Sequence, residues 1–163
     1  MNLKPQLKTE TINAPQTAVN ISKQIARAIN NSTLDAEVVA PKFKRNSVEA
    51  TAETIFQYCK QNLPYQRETS NRQTARTLAR IIYDSKNGKK FDCKHYTIFV
   101  ASILKGLKMP YEINLISQNH YDKNPTHIYV NTVDEQGNKI FIDPCLFFFN
   151  HEARYNYKYK LKN

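Results

Sequence analysis

The sequence predicts an α+β fold, with helices leading and an antiparallel sheet following. Three observations carry this. Apolar residues recur at helical spacing as far as Leu107. Shorter strand-like runs begin at Tyr111. A polar turn sequence, Asp134-Glu135-Gln136-Gly137-Asn138, separates two of those runs.

Taken in order, residues 1–45 differ from the rest. They are rich in Asn, Thr, Gln and Lys, and Pro5, Pro15 and Pro41 punctuate them. Val19, Ile21, Ile25, Ala28 and Ile29 predict one helix inside this stretch. The expectation is an N-terminal arm or extension over 1–45 and a domain over 46–163. From Ser47, an N-cap residue type, a helix is predicted to about Asn62, with Val48, Ala52, Ile55, Phe56 and Cys59 on one face. A second is predicted from about Gln73 to Ser85, carrying Leu78, Ile81 and Ile82. Asn87-Gly88 marks a turn.

The third helix has the sharpest signature. Asp92 is the cap, and Tyr96, Phe99, Val100, Ile103, Leu104 and Leu107 form its apolar series. Gly106 and Pro110 bracket its end. Strands are predicted over Tyr111 to Ser117, His127 to Val133 and Lys139 to Pro144. The tail, Tyr155 to Leu161, alternates Tyr and Lys and predicts an edge strand guarded by its lysines.

Composition bounds the function classes. The chain of 163 residues is 40% hydrophobic, enough for one core. No apolar run approaches 18 residues, so no membrane-spanning helix is expected. Met1 to Glu10 is polar, unlike a secretory signal. Three cysteines, Cys59, Cys93 and Cys145, do not form a disulfide framework and favour a reducing interior. The expected location is cytoplasmic or virion-associated. The net charge of +10 would attract polyanions through a basic surface, although no arginine-rich block or nucleic-acid motif sharpens that expectation.

The chemistry centres on Cys93. By residue type alone a free cysteine is usually a packing residue. Placement directly after an N-cap changes this, because unpaired N–H groups and the helix dipole there favour a thiolate. Of four histidines, His95 lies about 200° around the helix from Cys93 and points away from it. His120 and His151 fall in a polar loop and the tail. His127 opens a strand, and Asp143 closes the neighbouring one. A three- or five-residue turn centred on Gln136 sets Tyr129 opposite Asp143, with His127 its diagonal neighbour on the same face, about 7–8 Å away. A two- or four-residue turn would part them. The set supplies a nucleophile, Cys93, a base, His127, and an orienting carboxylate, Asp143.

The runs Phe91-Asp92-Cys93-Lys94-His95-Tyr96-Thr97, Thr126-His127-Ile128-Tyr129-Val130 and Ile142-Asp143-Pro144 resemble the transglutaminase-like superfamily. The resemblance covers roughly residues 47–146 and includes Leu63-Pro64-Tyr65 and the stretch Arg72 to Leu78. It implies a papain/transglutaminase-like core, with the nucleophile at a helix N-terminus. It also implies amide chemistry through a Cys thioester on a peptide or protein: peptide hydrolysis, deamidation or transfer to an amine. By the same resemblance a second oxyanion donor precedes the helix, with Gln66 and Gln73 as candidates. Phe91 departs from the glycine often found there, and is expected to narrow access to the thiol or to form a substrate wall. A small basic member of this kind suggests a phage or mobile-element protein by analogy.

The rival class is a non-catalytic basic binding or structural module that keeps the fold. A metal site on Cys93, His95 and Cys145 has poor ligand geometry, so neither metal nor cofactor is expected. Cys59 reads as packing. Cys145 reads as core, or as a disulfide partner of Cys93.

Overall fold

Helix packing around one central helix organises the molecule. The computed structural model describes residues 4–12 and 17–161; residues 1–3 and Pro15 lie outside them. The elements, in order, are β1 (Thr9–Thr11), α1 (Ala18–Asn31), α2 (Thr33–Val39), a 3₁₀ turn (Ala40–Phe43), α3 (Val48–Asn62), β2 (Thr74–Arg76), α4 (Leu78–Lys86), α5 (Cys93–Gly106), β3 (Glu112–Ser117), β4 (His127–Val133), β5 (Lys139–Ile142) and β6 (Tyr157–Lys160). The fold is α+β, as predicted.

α5 is buried on every side from Lys94 to Leu104. An all-round apolar helix has no face to give to water. α1, α2 and α4 pack around it, α3 lies against it, and β4 covers it from the sheet side. Ile25, Ile29 and Ala36 from the first 45 residues join the same core as Ile55, Phe56, Phe99 and Val130.

The four-stranded sheet is antiparallel in the order β5-β4-β3-β6. Side chains alternate across it. Ile113, Leu115, Ile128, Val130, Ile140 and Ile142 face the helices, while Ile116 and Tyr129 face a second, smaller cluster with Ala153. β6 is an edge strand, paired to β3; Lys160 is exposed, whereas Lys158, expected to guard the edge, folds over the Tyr129 and Phe141 rings and pairs with Glu152. The β4–β5 turn spans Asp134–Asn138. Asp134 Oδ1 accepts from the N–H of Gln136 at 2.9 Å and of Asn138 at 2.8 Å. Gly137 takes a φ of 85°, open to glycine without strain. The five-residue turn gives Val130↔Ile142 and Asn131↔Phe141, the register that favours a His127–Asp143 pair.

One element differs from expectation. The helix predicted from Gln73 starts only at Leu78, because Thr74–Arg76 form β2 against β1. Threonine side chains suit a strand, and β1 comes from sequence too distant for local periodicity to show. The Leu78 N–H is capped by Ser32 Oγ at 2.8 Å.

At the end of α5, Gly106 lets α2 approach closely. A Cβ there would lie 2.6 Å from the Ala36 carbonyl oxygen and 2.8 Å from Ala40 Cβ. In an exposed helix Gly→Ala stabilises by about 1 kcal/mol. Here overpacking outweighs that gain, so Gly106→Ala is expected to lower the unfolding free energy by about 1–3 kcal/mol in urea titration.

Candidate active site

The first turn of α5 is held in place by a buried ionic network. Asp92 caps the helix: one carboxylate oxygen accepts from the Lys94 N–H at 3.1 Å, and the other pairs with Lys94 Nζ. His95 closes a capping box, with its Nδ1 3.2 Å from the Asp92 N–H and 3.0 Å from Asp92 Oδ1. Neutral or charged, that nitrogen has a partner. On its other side, His95 Nε2 lies 3.2 Å from Thr74 Oγ1, which donates to Glu68 Oε1 at 2.5 Å. Lys94 Nζ also reaches Glu68 Oε2 at 3.3 Å. Burial alone would raise the Asp92 pKa. The hydrogen bonds and charges of His95 and Lys94 more than offset it and hold the carboxyl well below its usual range.

Two neighbours of Cys93 turn away from it. His95 points away from Cys93, as expected, and is itself fully buried against the polar groups of Asp92, Thr74 and Glu68. Phe91 does not wall the thiol. Its side chain is fully buried, with the Arg76 guanidinium 5.4 Å from the ring centre, and the residue is absent from the Cys93 cleft. Its backbone explains why: Phe91 N–H donates to the Pro64 carbonyl at 3.0 Å, and Gln66 N–H donates to the Phe91 carbonyl at 2.8 Å. That parallel bridge turns the side chain inward.

Across from Cys93, His127 Nε2 lies 2.6 Å from Asp143 Oδ2. Asp143 is buried, and its other oxygen accepts from the Cys145 N–H at 3.1 Å. Both carboxylate oxygens are therefore committed. Lys60 Nζ clamps the following loop through the Pro144 and Leu146 carbonyls at 3.3 and 3.0 Å. The His127 ring stacks on Tyr129, 5.8 Å away at 23°. Tyr129 donates to Glu152 Oε1 at 2.5 Å, and Lys158 pairs with the same carboxylate. With Nε2 engaged, Nδ1 is the ring nitrogen left for the thiol. Burial alone would lower the His127 pKa, but hydrogen bonds to Asp143 and Cys93, and their charges, raise it to about 10.

The structure thus brings Cys93, His127 and Asp143 together. Cys93 and His127 line one cleft of about 200 Å³, with Arg67, Ser70, Gln73 and Ile21 among its walls. By helix geometry the Cys93 N–H has no acceptor within α5 and can face a developing oxyanion. The two glutamines differ. Gln66 is exposed and does not line the cleft. Gln73 does, but its amide nitrogen donates to the Glu68 and Thr69 carbonyls at 3.3 and 3.0 Å.

All three cysteines are free. Burial pushes the Cys59 thiol up. Burial, then the charges of Asp143 and Cys93, push Cys145 up. Cys93 and Cys145 are both half-buried, and Cys93 is the one that lines a cleft together with His127.

Among the described residues, two groups have donor atoms within 4.8 Å of one another: His127, Asp143 and Cys145, and Glu68, Asp92 and His95. In the first, His127 and Asp143 are already hydrogen-bonded to each other. In the second, the Lys94 ammonium supplies the positive charge between the carboxylates. His95 belongs to this second group, which removes it from the Cys93–His95–Cys145 ligand set weighed from sequence.

No family model and no curated protein matches the chain. Among solved structures, the fold is similar to a candidate protease from Parabacteroides distasonis, with a TM-score of 0.54 and 11% identity over 76% of this chain and 26% of that one. It is also similar to a candidate cysteine protease from Cytophaga hutchinsonii, with a TM-score of 0.51 and 14% identity over 83% of this chain and 48% of that one. The chain therefore spans a quarter to a half of those proteins' lengths. At these identities the similarity is one of fold. No helix among the described residues is long and apolar enough to cross a membrane.

Two outcomes follow from this geometry. The raised pKa means that His127 stays charged well past the ordinary histidine value of 6.5 and deprotonates near pH 10. Its contribution to stability is full below about pH 6.5 and fades as the pH rises through about 10. Imidazole NMR titration should show this directly, with the midpoint moving down in Asp143→Asn. Asp92→Ala removes a cap worth about 1 kcal/mol and strips the buried Lys94 of its nearest partner, so a total loss of about 3–5 kcal/mol is expected in urea unfolding.

Proposed function

We propose that the chain is a thiol-dependent amide hydrolase or acyltransferase of the transglutaminase-like kind, acting on a peptide or protein through a Cys93 thioester. The observation that carries this reading is the 2.6 Å His127–Asp143 pair set against a half-buried cysteine at a helix N-terminus. The fold similarity to two candidate proteases supports the same class.

In this reading the proton that makes His127 an imidazolium is the one Cys93 has given up to Nδ1, while Asp143 holds the ring through Nε2 and stabilises its charge. The thiolate sulfur adds to an amide carbonyl. The resulting oxyanion faces the Cys93 N–H and the positive end of α5. Collapse breaks the C–N bond, and the imidazolium delivers its proton to the leaving amine. A thioester remains. Water then gives an acid, by peptide hydrolysis or deamidation according to the amide attacked; an incoming amine gives transamidation. Residues 46–163 carry the chemistry in this scheme, and residues 1–45 complete the cleft through α1.

The rival, a basic module without catalysis, is favoured only by the charge of +10. Chemistry at Cys93 separates the two. A peptide vinyl sulfone should form one adduct, mapped by mass spectrometry to Cys93 and lost in Cys93→Ala. His127→Ala should slow adduct formation and peptide turnover by roughly 10²- to 10⁴-fold. Equal labelling of wild type and His127→Ala would make Cys93 an ordinary thiol and leave the binding module standing.

A further inference from the structure

The groove continues past the thiol. Beyond Leu115 and Pro125 a second cavity of about 670 Å³ opens between α1 and the β6 edge. It shares Ala18, Leu115 and Pro125 with the Cys93 cleft, so the two form one path along α1. Its floor is apolar and open to solvent: Val19 is 63% and Tyr159 41% exposed. Exposed apolar surface of this kind, rimmed by charge and continuous with a reactive group, marks a binding site.

The rim has one sign. Lys23, Lys123 and Lys160 line the second cavity, and among the described residues no Asp or Glu does. Lys160 is partly neutralised by Glu112 at 2.7 Å. Lys123 lies 5.5 Å from the Tyr157 ring centre and, like Lys23, is exposed. Arg67 adds a further exposed cation at the Cys93 end. A cationic rim over an apolar floor selects a ligand with anionic groups flanking an apolar side chain.

We infer that this groove binds the part of the substrate remote from the scissile amide, and that this part is an acidic peptide segment carrying a large apolar side chain. The inference rests on the reading of Cys93 as the nucleophile, and it names the substrate class of that site. The apolar residue fills the space between Val19, Leu115 and Tyr159. Glutamates or aspartates beside it meet Lys23 and Lys123. α1, drawn from the first 45 residues, becomes the specificity element.

The test uses the full chain and four fluorescein-labelled peptides, with Leu or Ser flanked by Glu pairs or by Lys pairs. Binding is read by fluorescence anisotropy on Cys93→Ala, and turnover on the wild type. The Glu-flanked Leu peptide should bind about tenfold more tightly than each of the others at low salt, and its advantage over the Lys-flanked peptide should shrink at high salt. The double variant Lys23→Glu/Lys123→Glu, both positions being exposed, should invert the charge preference and keep the wild-type melting temperature. Equal or absent binding of the four peptides overturns the inference. So does an unchanged preference in the double variant, or displacement of the acidic peptide by a short oligothymidylate that binds more tightly. Turnover separates this from the thiol reading. Acidic peptides that bind but are never processed uphold the groove and remove the nucleophile; processing without preference does the reverse.

Discussion

Everything at the cleft depends on where α5 begins, and one buried carboxylate decides that. Asp92 accepts from the Lys94 backbone, pairs with the Lys94 side chain and contacts His95. A helix start is otherwise soft, since first turns fray and shift by a residue or two. A shift of one residue would rotate Cys93 by about 100° and carry its sulfur away from His127. The ionic network suppresses that freedom. It also ties the loop at Glu68 and the strand at Thr74 to the same point, so the walls of the cleft and its thiol are fixed by one set of contacts.

A second, independent anchor sets the other half. Asp143 is held through the Cys145 N–H and the clamped loop behind it, while His127 rests on Tyr129. The two anchors sit on different elements, α5 and the β4–β5 hairpin. They are brought to one cleft because β4 packs along α5. The core thus aligns two rigid polar devices, and neither device has to bend to meet the other.

The sequence revealed the parts governed by local rules. Ser47 and Asp92 announce their helices because capping is a short-range bond. The register at Asp143 could be reasoned from turn length, since alternation in a strand has a period of two. What stayed hidden depended on partners far away in the chain. β2 needs β1, some 65 residues earlier. His95 was placed correctly relative to Cys93, but helical position does not say what closes over the opposite side. Lys94 would normally be solvated, and only Glu68 together with Asp92 makes its burial tolerable. Phe91 was misjudged because its direction is set by backbone bonds to Pro64 and Gln66. The pairing of Gln73 with nearby carbonyls was equally invisible, as an amide side chain gives no hint of its acceptor.

The order in which the walls are assembled has a further consequence. α1 is made early, Cys93 in the middle, and His127, Asp143 and β6 late. During synthesis Cys93 therefore emerges before His127, and the groove beside it lacks its β6 edge until residues 157–160 have been made. A growing chain carries Cys93 before the histidine that faces it has been made. Cys93 can meet the His127–Asp143 pair only once β4 and β5 have docked, so assembly of the sheet precedes any chemistry the cysteine could do.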